Sequence, residues 1–140
     1  TEPAIIYSIW GTGRVDPSLK STRSYPSMTH HWKHIPEVDF HATVAGMMKA
    51  FGWNLIYHTH NSERSESGFP DLFAIKSGKY PRMLIAELKR EKGQPTPEQH
   101  QWLQELQAFH CQGWIPDRGF SIEVYLWRPS DLDDIERILK

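Results

Sequence analysis

Apolar residues recur at Phe40, Val44, Met47, Met48 and Phe51, the i, i+4, i+7, i+8, i+11 spacing of one face of an amphipathic helix. Gly52 follows and stops it. Residues 53–58 alternate as a strand. Two short apolar runs come later, Leu72-Phe73-Ala74-Ile75 and Met83-Leu84-Ile85-Ala86. Ser77-Gly78-Lys79-Tyr80-Pro81 between them is a turn by composition, so the pair predicts a β-hairpin. Thr96-Pro97-Glu98-Gln99 starts a second helix. Thr96 is its N-cap, Pro97 takes the first helical position, and Gln99 completes a capping box. Trp102, Leu103, Leu106 and Phe109 form its buried face. Ile122, Val124 and Leu126 alternate in a fourth strand, and Ser130 is predicted to cap a last helix through Leu132, Ile135 and Leu139. The predicted order is α-β-β-β-α-β-α, an α/β domain. Both faces of the hairpin strands are largely apolar, so helices are expected on both sides of the sheet.

Residues 1–35 do not share this periodicity. Ile5-Ile6-Tyr7-Ser8-Ile9-Trp10 has the composition of a strand, but Gly11-Thr12-Gly13 ends it, and Pro17, Pro26 and several serines and threonines read as loop. The expectation is an irregular N-terminal arm over 1–35, packed on the domain or on a second copy, and a domain over 36–140. A chain of 140 residues suits one core, and six tryptophans with 39% hydrophobic residues argue against disorder. No apolar run approaches the ~20 residues of a membrane helix, and no secretory leader pattern is visible. The single Cys111 excludes an internal disulfide and fits a reducing compartment, so a cytoplasmic location is expected.

The hairpin carries the chemistry. Pairing its strands symmetrically about Lys79 sets Asp71 directly opposite Glu87. Cross-strand neighbours stand roughly 5 Å apart at Cβ, and like charges there repel. A divalent cation between them turns that repulsion into a site for a hard ion with oxygen ligands. Strand alternation puts Lys89 on the face of Glu87. Two acids and a lysine around a cation can hydrolyse a phosphodiester. The plainer reading is a strand-end aspartate, an exposed glutamate and a Lys89 that simply pairs with Glu87. The net charge of −1 counts mildly against a general DNA binder. Residues 76–92 nevertheless hold Lys76, Lys79, Arg82, Lys89, Arg90 and Lys92 against Glu87 and Glu91, and phosphate neutralisation needs only such a patch.

Pro70-Asp71 and Glu87-x-Lys89 resemble the motif of the PD-(D/E)xK nucleases. Gly68-Phe69-Pro70-Asp71-Leu72, Glu87-Leu88-Lys89, Pro97-Glu98-Gln99 with Trp102, and Trp127-Arg128-Pro129-Ser130-Asp131 occur in order. Together they make residues 36–140 similar to the virus-type replication-repair nuclease (VRR-NUC) domain. The resemblance implies a restriction-endonuclease-like core, a mixed four-stranded sheet flanked by helices. It implies a metal-dependent DNA endonuclease using Mg2+, with Mn2+ able to substitute, that leaves a 5′-phosphate and a 3′-hydroxyl. Branched DNA such as a Holliday junction is the implied substrate, and a homodimer the implied assembly. A viral or mobile-element origin would place it in the host cytoplasm. The alternatives are a non-cleaving module that binds nucleic acid or protein on a nuclease fold, and a nuclease acting on linear duplex or single strands.

The metal ligands are then expected to be Asp71, Glu87 and, as in the resembled family, the backbone carbonyl of Leu88. Lys89 would stabilise the developing charge or position the attacking water. Glu37 sits where the family places a helix glutamate pointing into the site, although an acidic residue in a first turn is also favoured by the helix dipole. Gln99 matches a family glutamine near the active lysine but also completes the capping box. Eight histidines invite a zinc reading. The clusters His30, His31, His34 and His58-Thr59-His60 lack cysteine partners and finger spacing. His58 and His60 are instead candidates for DNA contact, with Arg64, Lys76, Arg90 and Lys92. Gly68 is expected where the chain must turn sharply before Asp71. Trp10, Trp32 and Trp114 lie in loops, where packing or stacking on bases would employ them.

Overall fold

The computed structural model describes residues 34–59, 65–113 and 119–140. The N-terminal arm with its apolar run, His30, His31, Trp10, Trp32, His60, Arg64 and Trp114 lie outside the described residues, as does the side chain of Phe109. Three helices and four strands follow in the order α1 (Glu37–Ala50), β1 (Leu55–His58), β2 (Leu72–Lys76), β3 (Arg82–Leu88), α2 (Pro97–Gly113), β4 (Ser121–Trp127) and α3 (Leu132–Leu139). The architecture is mixed α/β. The four-stranded sheet has the spatial order β1-β2-β3-β4. The first two pairings are antiparallel and β3–β4 is parallel. That parallel pair requires a crossover, which α2 supplies.

The apolar stripe of α1 packs as its spacing requires. Phe40, Val44 and Met48 are fully buried, with Met47 and Phe51 partly buried against the same cluster. Gly52 ends the helix with φ +83°. Leu72, Ala74, Leu84, Ala86, Leu88, Tyr125 and Trp127 meet this stripe from one face of the sheet, and Leu132, Ile135 and Leu139 of α3 complete the core. The register makes Phe73 the partner of Ile85 and aligns Ile85 with Val124, so these residues point to the opposite face, where α2 packs on β4. On the edge strand β1, Leu55 and Tyr57 are exposed.

Two local expectations change. Ser130 does not cap α3. Pro129–Asp131 form a short 3-10 helix that leads into it, and the Asp131 carboxylate accepts the Arg128 N–H at 2.8 Å. Ser130 instead gives its backbone N–H to Glu91 at 3.0 Å. The second change concerns the basic stretch. Arg82 is a structural tie, donating to both oxygens of Glu123 at 2.7 and 2.8 Å and to the Ile138 carbonyl at 2.7 Å. Among the described residues no helix is long and apolar enough to cross a membrane.

Candidate active site at the end of the hairpin

Pairing of β2 with β3 runs from Lys76–Arg82 to Leu72–Ala86. One further step in this register sets Asp71 against Glu87, as the symmetric hairpin predicts. Asp71 has just left the strand, and its carboxylate reaches across to accept the Leu88 N–H at 2.9 Å. A strand residue sends its N–H and C=O to the same side, so the Leu88 carbonyl is directed past the end of β2, towards Asp71. Thr59 ties the neighbouring chain down, its N–H donating to the Asp71 carbonyl and its hydroxyl to the Pro70 carbonyl, both at 2.9 Å.

Glu87 departs from an ordinary strand glutamate. It has 0% exposure, the one buried charged residue among those described. Neither carboxylate oxygen makes a hydrogen bond of good geometry. The Lys89 ammonium approaches Oε1 at 2.9 Å, itself 13% exposed on its side chain. Burial first, then the charge of Asp71, push the Glu87 carboxyl up to about 7, against the lowering effect of Lys89 and the Asp71 amide. The Lys89 ammonium is the charge partner of this buried carboxylate, and the lone pairs it does not face are left for a further partner.

The approach to Asp71 is built by Gly68 and α2. Gly68 has φ +80°, and a Cβ there would fall 2.5–2.7 Å from backbone and Cβ atoms of Glu98 and Gln99. Glycine thus serves both the turn and a close approach to the start of α2. Trp102 fastens the two, donating from Nε1 to the Ser67 carbonyl at 3.1 Å and meeting Phe69 edge-on at 5.2 Å between centroids. On the far side of Lys89, Arg128 donates to the Gly93 carbonyl at 3.0 Å and reaches Gln94 Oε1 at 3.4 Å. The Arg128–Asp131 segment therefore braces the turn that follows the lysine.

The remaining expected residues divide. Glu37 comes to the site end of β3, its Oε2 3.4 Å from the Arg90 N–H. Gln99 forms the capping box with Thr96, at 2.9 Å through its side-chain oxygen and 3.2 Å through its amide N–H. Its place beside Gly68 keeps it at the edge of the site, but its described bonds are those of a helix cap. Arg90 and Lys92 are exposed directly after Lys89. His58 ends β1 beside this region as the partner of Leu72, which directs it to the α1 side of the sheet. Lys76 is a correction. It stands at the other end of β2, roughly 14–17 Å along the strand from Asp71, and donates to the Leu139 and Lys140 carbonyls at 3.4 and 3.2 Å.

His41 is the residue that sequence reasoning passed over. One turn beyond Glu37 on α1, it places Nε2 3.8 Å from Asp71 Oδ2. That nitrogen is buried and without a hydrogen-bond partner. The i, i+4 spacing from Glu37 was the available signal. No three His, Cys, Asp or Glu side chains converge closely enough among the described residues to enclose an ion by themselves. Asp71, Glu87 and the Leu88 carbonyl nonetheless offer the few hard oxygen donors that magnesium takes while keeping its waters, and the open lone pairs of buried Glu87 fit that use. No family model, curated protein or solved structure matches this chain, so the likeness to the VRR-NUC domain rests on the motif residues themselves.

Proposed function

We propose that the protein is a metal-dependent DNA endonuclease with a PD-(D/E)xK core, acting on branched DNA. One observation carries the reading: a fully buried Glu87 with open lone pairs, opposite Asp71, with the Lys89 ammonium 2.9 Å away. Carboxylates facing across strands repel, and the Lys89 ammonium offsets this only in part, since burial and Asp71 still push Glu87 up to about 7. Asp71, Glu87 and the Leu88 carbonyl would hold the ion. A divalent cation bound there supplies Lewis acidity and a more acidic water. Lys89 offsets the charge that develops on the phosphate. Glu37, at the same end of the sheet, orients water. Exposed Arg90 and Lys92 contribute phosphate contacts. The preference for branched DNA and the homodimer come from the VRR-NUC resemblance, with Asp71, Glu87 and Lys89 all in place.

The test is a gel with linear, flapped and four-way DNA in magnesium, manganese or excess chelator. Cutting is expected with either metal, most strongly on the four-way substrate, and none with chelator or with Asp71→Ala. Cutting that survives chelator would overturn the metal reading. DNA binding without any cutting would support the non-catalytic module instead.

A further inference from the structure

We infer that His41 is a nitrogen ligand at the Asp71 site and that it tunes the site towards first-row transition ions over magnesium. The inference rests on the metal-dependent reading above and adds a ligand to it. Three observations on α1 and the hairpin carry it.

The imidazole is placed by the helix, not by chance on the surface. Phe40, its neighbour in sequence, is fully buried in the core, and this fixes the rotation of α1. Glu37, one turn earlier, is already engaged at the Arg90 amide, so residues 37 and 41 face the same end of the sheet. The nitrogen nearest the aspartate is the unsatisfied one. His41 Nε2 is buried and has no hydrogen-bond partner. At 3.8 Å from Asp71 Oδ2 it is too far for a hydrogen bond. A buried polar atom left open in this way calls for an occupant.

The spacing suits a shared ion. Donors each about 2.1 Å from one ion stand between about 3.0 Å apart, at a right angle, and about 4.2 Å, in line. The 3.8 Å separation falls inside that window. The Leu88 carbonyl and water would complete such a coordination shell. An all-oxygen site suits magnesium, whereas an imidazole raises affinity for ions further along the first transition row. The consequence is a preference that two carboxylates and a carbonyl would not produce.

Calorimetry with Co2+ and with Mg2+, on wild type, His41→Gln and Asp71→Ala, tests this, together with pulsed EPR of the Mn2+-loaded protein. Wild type should bind Co2+ at least tenfold more tightly than Mg2+. His41→Gln should weaken Co2+ at least tenfold and Mg2+ less than threefold. Mn2+ should show modulation from a ligating imidazole 14N in wild type and lose it in His41→Gln. Equal losses for both ions, or unchanged Co2+ affinity, would overturn the role of His41 while leaving the metal site standing. Absence of any ion binding that depends on Asp71 would instead remove the nuclease reading, and this inference with it. Should His41→Gln fail to fold, the wild-type spectrum decides alone: no 14N modulation in the Asp71-dependent signal means no imidazole ligand.

Discussion

Lys89 holds its ammonium 2.9 Å from a Glu87 carboxylate that has no exposed surface. Even so, burial and the charge of Asp71 outweigh the lysine, and the Glu87 carboxyl is pushed up to about 7 from an ordinary 4.5. Folding therefore takes up a proton at Glu87 between those values. Its contribution is fully present below the unfolded value and is lost as pH rises through about 7. At about 1.4 kcal/mol per pH unit, the loss across that window is on the order of 3 kcal/mol. In chelator the melting temperature should fall between pH 5 and pH 8. Glu87→Gln should flatten the profile and melt higher than wild type at pH 8. A variant that melts lower there would show that the ionised Glu87–Lys89 pair stabilises the fold.

Lys89→Ala should separate chemistry from ion binding. The ammonium acts on charge that develops during the reaction, and removing one such group costs about 10²–10³ in rate. Divalent-ion affinity measured by calorimetry should stay within a few-fold of wild type, because lysine is no ligand. Loss of ion binding together with rate would make Lys89 a prop for Glu87 rather than a participant.

Gly68→Ala should unseat the approach to Asp71. A methyl group there meets backbone atoms of Glu98 and Gln99 at 2.5–2.7 Å, in a left-handed conformation of φ +80°. Strain of this kind costs about 1–3 kcal/mol. Urea denaturation should register it, and DNA cutting should fall with it, since the same turn sets Asp71.

Arg128→Ala should loosen the turn after Lys89. The guanidinium donates to Gly93 and Gln94, and hydrogen bonds to charged groups contribute about 1.5–3 kcal/mol. Faster hydrogen exchange confined to residues 89–94 is the expected signature. Exchange that is uniform over the domain would assign Arg128 to global stability instead.

Sedimentation of the full chain at micromolar concentration should report a dimer. The proposed function motivates this, because a two-fold pair of sites would suit cutting both strands of a junction, and the sequence run Ile5, Ile6, Tyr7, Ile9 and Trp10 would offer apolar surface to an interface. A monomer at that concentration would remove the dimer. A dimer that persists in a chain starting at Pro36 would remove the arm from its interface.

Much of the scaffold was determined locally. The stripe of α1, the capping box of Thr96 and Gln99, and the hairpin register about Lys79 all follow from interactions among residues a few positions apart, where turn chemistry and apolar period leave few choices. Because a one-residue slip would turn every strand side chain to the other face, two apolar runs were enough to set Asp71 against Glu87. Only the tertiary structure decided how deep that pair lies and what surrounds it. The Asp71–Leu88 bond still follows from the hairpin register, but the Glu37–Arg90 contact spans 53 residues and exists because α1 packed on the sheet; no local period encodes it. The same packing left Lys76 with the C-terminus, gave Gly68 a neighbour in α2, and brought His41 to Asp71. Contacts between distant segments depend on how the helices and the sheet pack, and sequence alone carries that information only through the whole fold.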